Sequence, residues 1–340
     1  MKSKRSFFLL VVVFLFSGAP LTARRPVKIA TIGMVNPSLD TSLSYQRRVD
    51  IMIDHIRMEI GQVLPDKPDL IVLPEACDRP AGMTRDQQMK YYSVRGTQVK
   101  DFLAGVAKEN HCYIAFGMKA KDEKGIWRNS CFLLDRSGKV AGRYDKNFPT
   151  PGEMEGGIIA SDKAELIHTD FGDVACAICF DLNFDELRER YAKLRPDLII
   201  FVSMYHGGLV QAQWAYSCRS WFVSSVGIRN LLSQVRNPLG KVVATTTNYY
   251  DHIVTTVNLD YELAHLDHNW TKLDALKAKY GEEVTIYDPG EIGVVMITSE
   301  SDKVSAAQMV EEFGIEKADH YFDRTRVDRK DQLTEQVPRK

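Results

Sequence analysis

The chain has almost no net charge. Its 44 Lys and Arg side chains meet 45 Asp and Glu, leaving −1 at neutral pH. A surplus of positive charge is what draws a protein to nucleic acid or to an anionic membrane, so neither partner is expected. Long apolar runs are also scarce. The one unbroken stretch of note is Phe7 to Phe16, ten residues, about half of the roughly 20 that a membrane-spanning helix requires. No internal repeat and no low-complexity linker divides the sequence. Cysteine is sparse, with six residues at positions 77, 112, 131, 176, 179 and 218. An even count invites a disulfide framework when a secreted chain is small. This chain is not small, and Cys112, Cys131, Cys176 and Cys179 lie in or beside apolar β-like runs, where cysteine is a buried small hydrophobe. None of the eight histidines stands in a recognisable Cys-His protease context, and His265-x-x-His268 lacks the helix-face spacing of H-E-x-x-H. No metal and no other cofactor is implied.

The first residues read as an address. Lys2, Lys4 and Arg5 precede the apolar run, and Ser17-Gly18-Ala19-Pro20-Leu21-Thr22-Ala23 follows it. That is the layout of a secretory signal peptide over residues 1–23, with a cut after Ala23 or Ala19. The mature protein is expected to be soluble and exported, to the periplasm or outside the cell. Its remaining length suits one large domain or two small ones.

Hydrophobic patterning orders the rest. Strands are expected over 27–35, 69–75, 112–118, 128–135, 139–144, 165–169, 173–182, 197–204, 233–246 with a turn at Pro238-Leu239-Gly240, and 253–259. Helices are expected over 45–60, 97–109, 185–194, 211–224 and 268–280, with a Gly- and Pro-rich loop over 145–161. Strands and helices alternate with hairpins mixed in, which points to a layered α/β domain with a mixed sheet. Residues 301–340 read as a charged C-terminal extension.

Three strand ends carry the chemistry. The run Val174 to Leu182 holds Cys179 at a strand-to-helix elbow, where a thiol is exposed at the rim of a sheet and the following backbone N–H, that of Phe180, can face a developing negative charge. A free thiol is only slightly ionised at neutral pH and needs a base or a nearby cation. Glu75 ends the strand Asp69 to Glu75 directly after Pro74, where desolvation would raise its pKa towards a useful value. Lys146 follows Arg143-Tyr144-Asp145 and offers a fixed positive charge for a thiolate and an oxyanion. Cys176 and Cys179 form a C-x-x-C, but on a strand that spacing places them on opposite faces, which argues against a redox pair.

LPEA at 73–76, GRYDKNFP at 142–149 and CAICFDLNFDELRERYAKLRPDLIIFVS at 176–203 resemble the three signature regions of the nitrilase superfamily, the carbon–nitrogen hydrolases. The resemblance runs from about Val27 to about Leu259. It implies an α-β-β-α sandwich, here within residues 27–300, that often pairs into a homodimer. It also implies a Glu-Lys-Cys triad, with Glu75 as general base, Lys146 as cationic stabiliser and Cys179 as nucleophile. Phe180 N–H would complete the oxyanion hole with Lys146. A second glutamate follows the lysine in many members; Glu153 and Glu155 both qualify, and Glu153 is preferred because it follows a Pro-Thr-Pro-Gly turn. Where members often have Pro-Gly after this glutamate, the chain has Ile159-Ala160-Ser161. Tyr205 and His206 follow a strand on the rim of Cys179 and are candidates to touch substrate. The implied activity is hydrolysis of a small-molecule amide at a non-peptide C–N bond, with a nitrile or an N-carbamoyl compound as the alternative within the family and a catalytically silent binding protein as the alternative outside it.

Overall fold

The computed structural model describes residues 26–335. The expected signal peptide over residues 1–23 lies outside them, as do residues 336–340. Along the chain, β1 (Val27–Ile32), α1 (Tyr45–Gly61), β2 (Leu70–Val72), α2 (Arg85–Arg95), α3 (Gln98–Asn110), β3 (Tyr113–Lys121), β4 (Trp127–Leu134), β5 (Val140–Asp145) and α4 (Pro151–Glu155) come first. Next are β6 (Ile167–His168), β7 (Asp173–Ile178), a 3-10 turn (Cys179–Asn183), α5 (Asp185–Leu194), β8 (Leu198–Ser203), α6 (Leu209–Cys218), β9 (Trp221–Val226), β10 (Gln234–Arg236) and β11 (Val242–Thr245). The rest comprises β12 (His252–Val257), β13 (Tyr261–His265), α7 (Trp270–Tyr280), β14 (Val284–Tyr287), β15 (Val294–Ser299), α8 (Ala306–Glu312) and α9 (Ala318–Glu335).

Two six-stranded mixed sheets, ordered β12-β1-β2-β3-β4-β5 and β11-β10-β9-β8-β7-β6, pack face to face. The two-residue period of a strand sorts the side chains. Leu70 and Val72 of β2, Tyr113 and Ala115 of β3, and Cys131 and Leu133 of β4 point into the layer between the sheets. Their neighbours Ile71, Ile114, Phe116, Phe132 and Leu134 face outward and are covered by Ile56 and Ile60 of α1 and Val99, Leu103 and Ala107 of α3. Leu187 and Tyr191 of α5 and Trp214 and Ala215 of α6 join the buried set around the second sheet. The result is the expected α-β-β-α sandwich. Buried hydroxyls stitch the two sheets: Thr31 Oγ1 donates to Ser224 O at 2.8 Å and Ser225 Oγ to Ile32 O at 2.7 Å. A buried hydroxyl left without such a partner would be costly, so these links also fix how the sheets sit on each other.

The helix expected over 185–194 has those bounds. Several elements differ. The stretch 211–224 is not one helix: α6 ends at Cys218, Arg219 takes a left-handed φ of 56°, and Trp221–Val226 is a fully buried central strand. A short apolar run carries no period that separates helix from strand, and here sheet burial decided the matter. Trp221 is therefore a strand residue, while Trp214 and Tyr216 remain on the helix. The loop expected over 145–161 contains α4, opened by a capping box in which Thr150 Oγ1 accepts from Glu153 N–H and the Glu153 carboxylate accepts from Thr150 N–H at 2.9 Å. A second capping box, Thr84 with Gln87, opens α2, which was not expected from the sequence. Beyond β12, the strands β13, β15 and β14 make a separate three-stranded sheet. From residue 301 on, Ala306, Met309, Val310 and Ala318 are buried, and Asp319 pairs with Arg195 and Arg219.

Candidate active site

Glu75 is held by an irregular continuation of β2 along β3. Leu73 N–H donates to Ala115 O at 2.8 Å, Gly117 N–H to Pro74 O at 3.2 Å and Cys77 N–H to Gly117 O at 3.2 Å. This close approach needs glycine at 117, because a Cβ there would meet Glu75 Cα at 2.6 Å. The loop beyond is pinned by a buried ion pair between Asp78 and Arg95, the last residue of α2. Arg95 Nη2 also donates to Lys119 O at 2.7 Å, so one guanidinium fixes both the Glu75 loop and the end of β3.

Lys146 leaves β5, and its N–H donates to Asn129 O on β4 at 2.8 Å. The side chain is 1% exposed. Its Nζ donates to Glu153 Oε2 at 2.9 Å and to Glu75 Oε1 at 3.2 Å. Burial alone would draw this ammonium down, but Glu75, Glu153 and Cys179 more than offset it and raise Lys146 above its ordinary value. Asn129 Nδ2 donates to Glu75 Oε1 and to Glu153 Oε1, each at 2.7 Å, and so spaces the two carboxylates around the ammonium. Burial pushes Glu153 up, yet Lys146, the Thr150 N–H and Lys119 outweigh it, and its pKa is lowered overall. Glu155 points elsewhere: it is 73% exposed and its carboxylate lies 3.8 Å from Arg85. The structure thus sets Glu153 against the lysine.

Cys179 begins the turn after β7. Ile178 is extended, and Cys179 itself takes φ 47°, a left-handed conformation that is uncommon outside glycine. Burial, and then the Glu75 carboxylate, push its thiol up to about 12, against the pull of Lys146, the Met204 N–H and the Ser203 hydroxyl. At neutral pH the thiol is therefore neutral and needs a base. Phe180 N–H makes no hydrogen bond among the described residues. Asp181 locks this turn to the lysine segment: its carboxylate accepts from Ile178 N–H at 2.9 Å, Phe148 N–H at 2.8 Å and Tyr144 Oη at 2.8 Å. Burial raises Asp181 to about 6 in spite of these donors.

Lys146 thus joins Glu75 to Glu153 by hydrogen bonds, and the charges of Glu75 and Lys146 both act on Cys179. The Tyr205 phenol is raised by burial and next by the charge of Cys179. His206 is turned to other neighbours: its Nδ1 accepts from Gly208 N–H at 3.0 Å, and its charge responds to Arg236. Sequence reasoning missed Asn129, Tyr144 and Asp181. Asp181 had a faint signal, an acid two residues after the cysteine in a turn short of capping groups, whereas Asn129 had none. No group of three or more His, Cys, Asp or Glu able to hold a metal occurs among the described residues, and all six cysteines are unpaired.

Two sheets under helices, with a thiol, a carboxylate and an ammonium at their strand ends and a second carboxylate on α4, are the layout of a cysteine hydrolase of the α-β-β-α type. The carbon–nitrogen hydrolase family matches residues 31–225, and the chain belongs to this family, within the nitrilase superfamily. It is a hydrolase of carbon–nitrogen bonds other than peptide bonds. Among similar proteins, nitrilase homolog 2 of Dictyostelium discoideum is 21% identical over 226 residues, covering 59% of this chain and 68% of that protein. Human omega-amidase NIT2 is 21% identical over 224 residues, covering 61% and 79%. The same fold is seen in Nit3 of Saccharomyces cerevisiae, with a TM-score of 0.58 at 20% identity over 70% of this chain and 91% of that one. An amidase from Nesterenkonia sp. superposes with a TM-score of 0.59 at 14% identity, covering 71% and 94%.

Proposed function

We propose that the chain hydrolyses a small linear amide through a thioester on Cys179. The single observation that carries this reading is the Lys146 ammonium held at 2.9 Å from Glu153 and 3.2 Å from Glu75, beside a neutral thiol at the end of β7. Glu75 takes the proton of Cys179 as substrate arrives. The sulfur attacks the carbonyl carbon, and Lys146 with Phe180 N–H holds the resulting oxyanion. Glu75 returns its proton to the nitrogen, the C–N bond breaks and ammonia or an amine leaves. Glu75 then draws a proton from water, the hydroxide adds to the thioester, and the carboxylic acid departs as the sulfur regains its proton. Glu153 takes no proton in this scheme. It holds the lysine charged and in place. The names of the relatives, omega-amidase and amidase, favour an amide over a nitrile.

The test is release of ammonia from a panel of amides, nitriles and N-carbamoyl compounds. Turnover of amides that disappears in Cys179→Ala supports the proposal; equal turnover by that variant sinks it. Export and self-association, which the sequence suggests, belong to the same proposal. They are tested by the N-terminal residue of the secreted protein and by its mass in solution.

A further inference from the structure

Two thiols that the chemistry above does not use face each other between the sheets. Cys131 lies on β4 and Cys176 on β7, and both are buried in the cluster that fills this layer. Cα atoms of the two strands come within 8 Å of each other, closer than the roughly 10 Å at which facing sheets usually stand. The Cys131 thiol is raised well above its ordinary value, first by its hydrogen bond with Cys176 and then by burial. The other cysteines are turned elsewhere. Cys77 belongs to the outer cluster under α1 and α3, and its thiol donates to Gly117 O at 3.6 Å. Cys112 lies in that same outer cluster. Cys218 ends α6, where its thiol donates to Arg188 O at 3.6 Å. Cys179 stands in the turn after β7.

A disulfide holds its two Cα atoms about 4.4–6.8 Å apart. Strands already this close need a small further approach to carry one, and neither sheet has to open. The location matters for the site. Asn129, which donates to both Glu75 and Glu153, stands two residues before Cys131 on β4, and Cys179 follows Cys176 by three.

We propose that Cys131 and Cys176 close into a disulfide when the chain meets a disulfide oxidant, stapling the two sheets together between Asn129 and Cys179. The export proposed above would supply an oxidising compartment. One cysteine attacks the oxidant as its thiolate, forming a mixed disulfide and releasing one thiol. The other cysteine then displaces the remaining half as a second thiol. The chain gives up two electrons and two protons, and both end on the two thiols released. Burial keeps the proton on Cys131 in the closed sandwich, so exchange takes place before the sheets close or during local opening. Once formed, the bond is shielded from reductants by the same burial. None of this depends on the hydrolase reading.

The experiment compares the full chain folded under reducing conditions with the same chain refolded in a mixture of reduced and oxidised glutathione. Each is denatured in iodoacetamide, digested and mapped by mass spectrometry. The reduced protein is expected to show all six cysteines alkylated. The oxidised protein should lose alkylation at Cys131 and Cys176 alone and yield a peptide pair joined through them, which parts on reduction. It should also melt roughly 5 °C above its reduced form, a difference that Cys176→Ala abolishes. Six alkylated cysteines after oxidation, or a cross-link that joins another pair, overturns the proposal. Mapping the wild type needs no variant, so a Cys176→Ala chain that fails to fold leaves this test intact.

Discussion

The phenol of Tyr144 donates a 2.8 Å hydrogen bond to Asp181, joining the strand that delivers Lys146 to the turn that delivers Cys179. Both partners are buried, and the same carboxylate accepts the N–H groups of Ile178 and Phe148. Ammonium and sulfur are therefore set relative to one another by a side chain that itself touches no reacting atom. Asp181→Asn turns an acceptor into a donor against at least one of these N–H groups. A loss of about 2–4 kcal/mol in unfolding free energy is expected, with a larger fall in kcat than in KM. Tyr144→Phe should cost about 1 kcal/mol. Denaturant titration measures both, and unchanged stability of Asp181→Asn would remove this role.

The same carboxylate gives a pH signature. Its folded pKa is raised to about 6 by burial, above the unfolded value of about 3.9. A raised pKa means that the protonated acid favours the fold. The contribution is whole below the unfolded value and is lost as pH rises through about 6. The stability of wild type minus that of Asp181→Asn should fall by about 2–3 kcal/mol between roughly pH 4 and pH 7. A difference that rises over this window contradicts the assignment.

Glu75→Gln separates charge from catalysis. The Glu75 carboxylate raises the Cys179 thiol, so removing its charge should lower the thiol pKa from about 12. Turnover should nevertheless drop by about 10²–10⁴, because the base is gone. Ultraviolet thiolate absorbance, with Cys179→Ala as the blank, reads the first effect and ammonia release the second. A thiol pKa that rises in Glu75→Gln would show that the carboxylate does not face the sulfur.

Lys146→Ala should lower kcat by about 10²–10³, the worth of one oxyanion donor. Glu153→Gln keeps a group able to accept at the α4 cap but removes the charge facing Lys146, and about a ten- to hundred-fold loss is expected. Glu155→Gln, at an exposed position, should behave as wild type. Equal effects at 153 and 155 would contradict the placement of the second glutamate.

Gly117→Ala tests the backbone approach that seats the base. A methyl group 2.6 Å from Glu75 Cα must displace the Glu75 segment. A loss of about 1–3 kcal/mol in stability is expected, together with reduced turnover. Thermal unfolding alongside ammonia release checks it, and a fully active, equally stable variant would mean that the approach is looser than described.

Much of this protein was legible along the chain because strand and helix periods are local. The alternation in Ile114-Ala115-Phe116 and Cys131-Phe132-Leu133 already states which side chains share a face. Glu75, Lys146 and Cys179 each stand at the end of an apolar run, so their place at the rim of a sheet followed from sequence. The capping box Thr150-x-x-Glu153 is equally local, yet the Gly- and Pro-rich composition around it reads as a loop, and α4 emerged only in the structure. By contrast, Trp221–Val226 took its conformation from the sheet that buries it, and nothing within those six residues separated strand from helix.

Sequence alone determined most strands of the two large sheets, the faces they bury and the three strand ends that carry a carboxylate, an ammonium and a thiol, since each depends on residues only a few positions apart. Tertiary structure decided which glutamate meets the lysine, that Asn129 spans both carboxylates, that Asp181 ties two segments together, and that burial and Glu75 push the thiol up. Those properties arise from burial and from distances between residues remote in the chain, and they come into being only when the sheets pack.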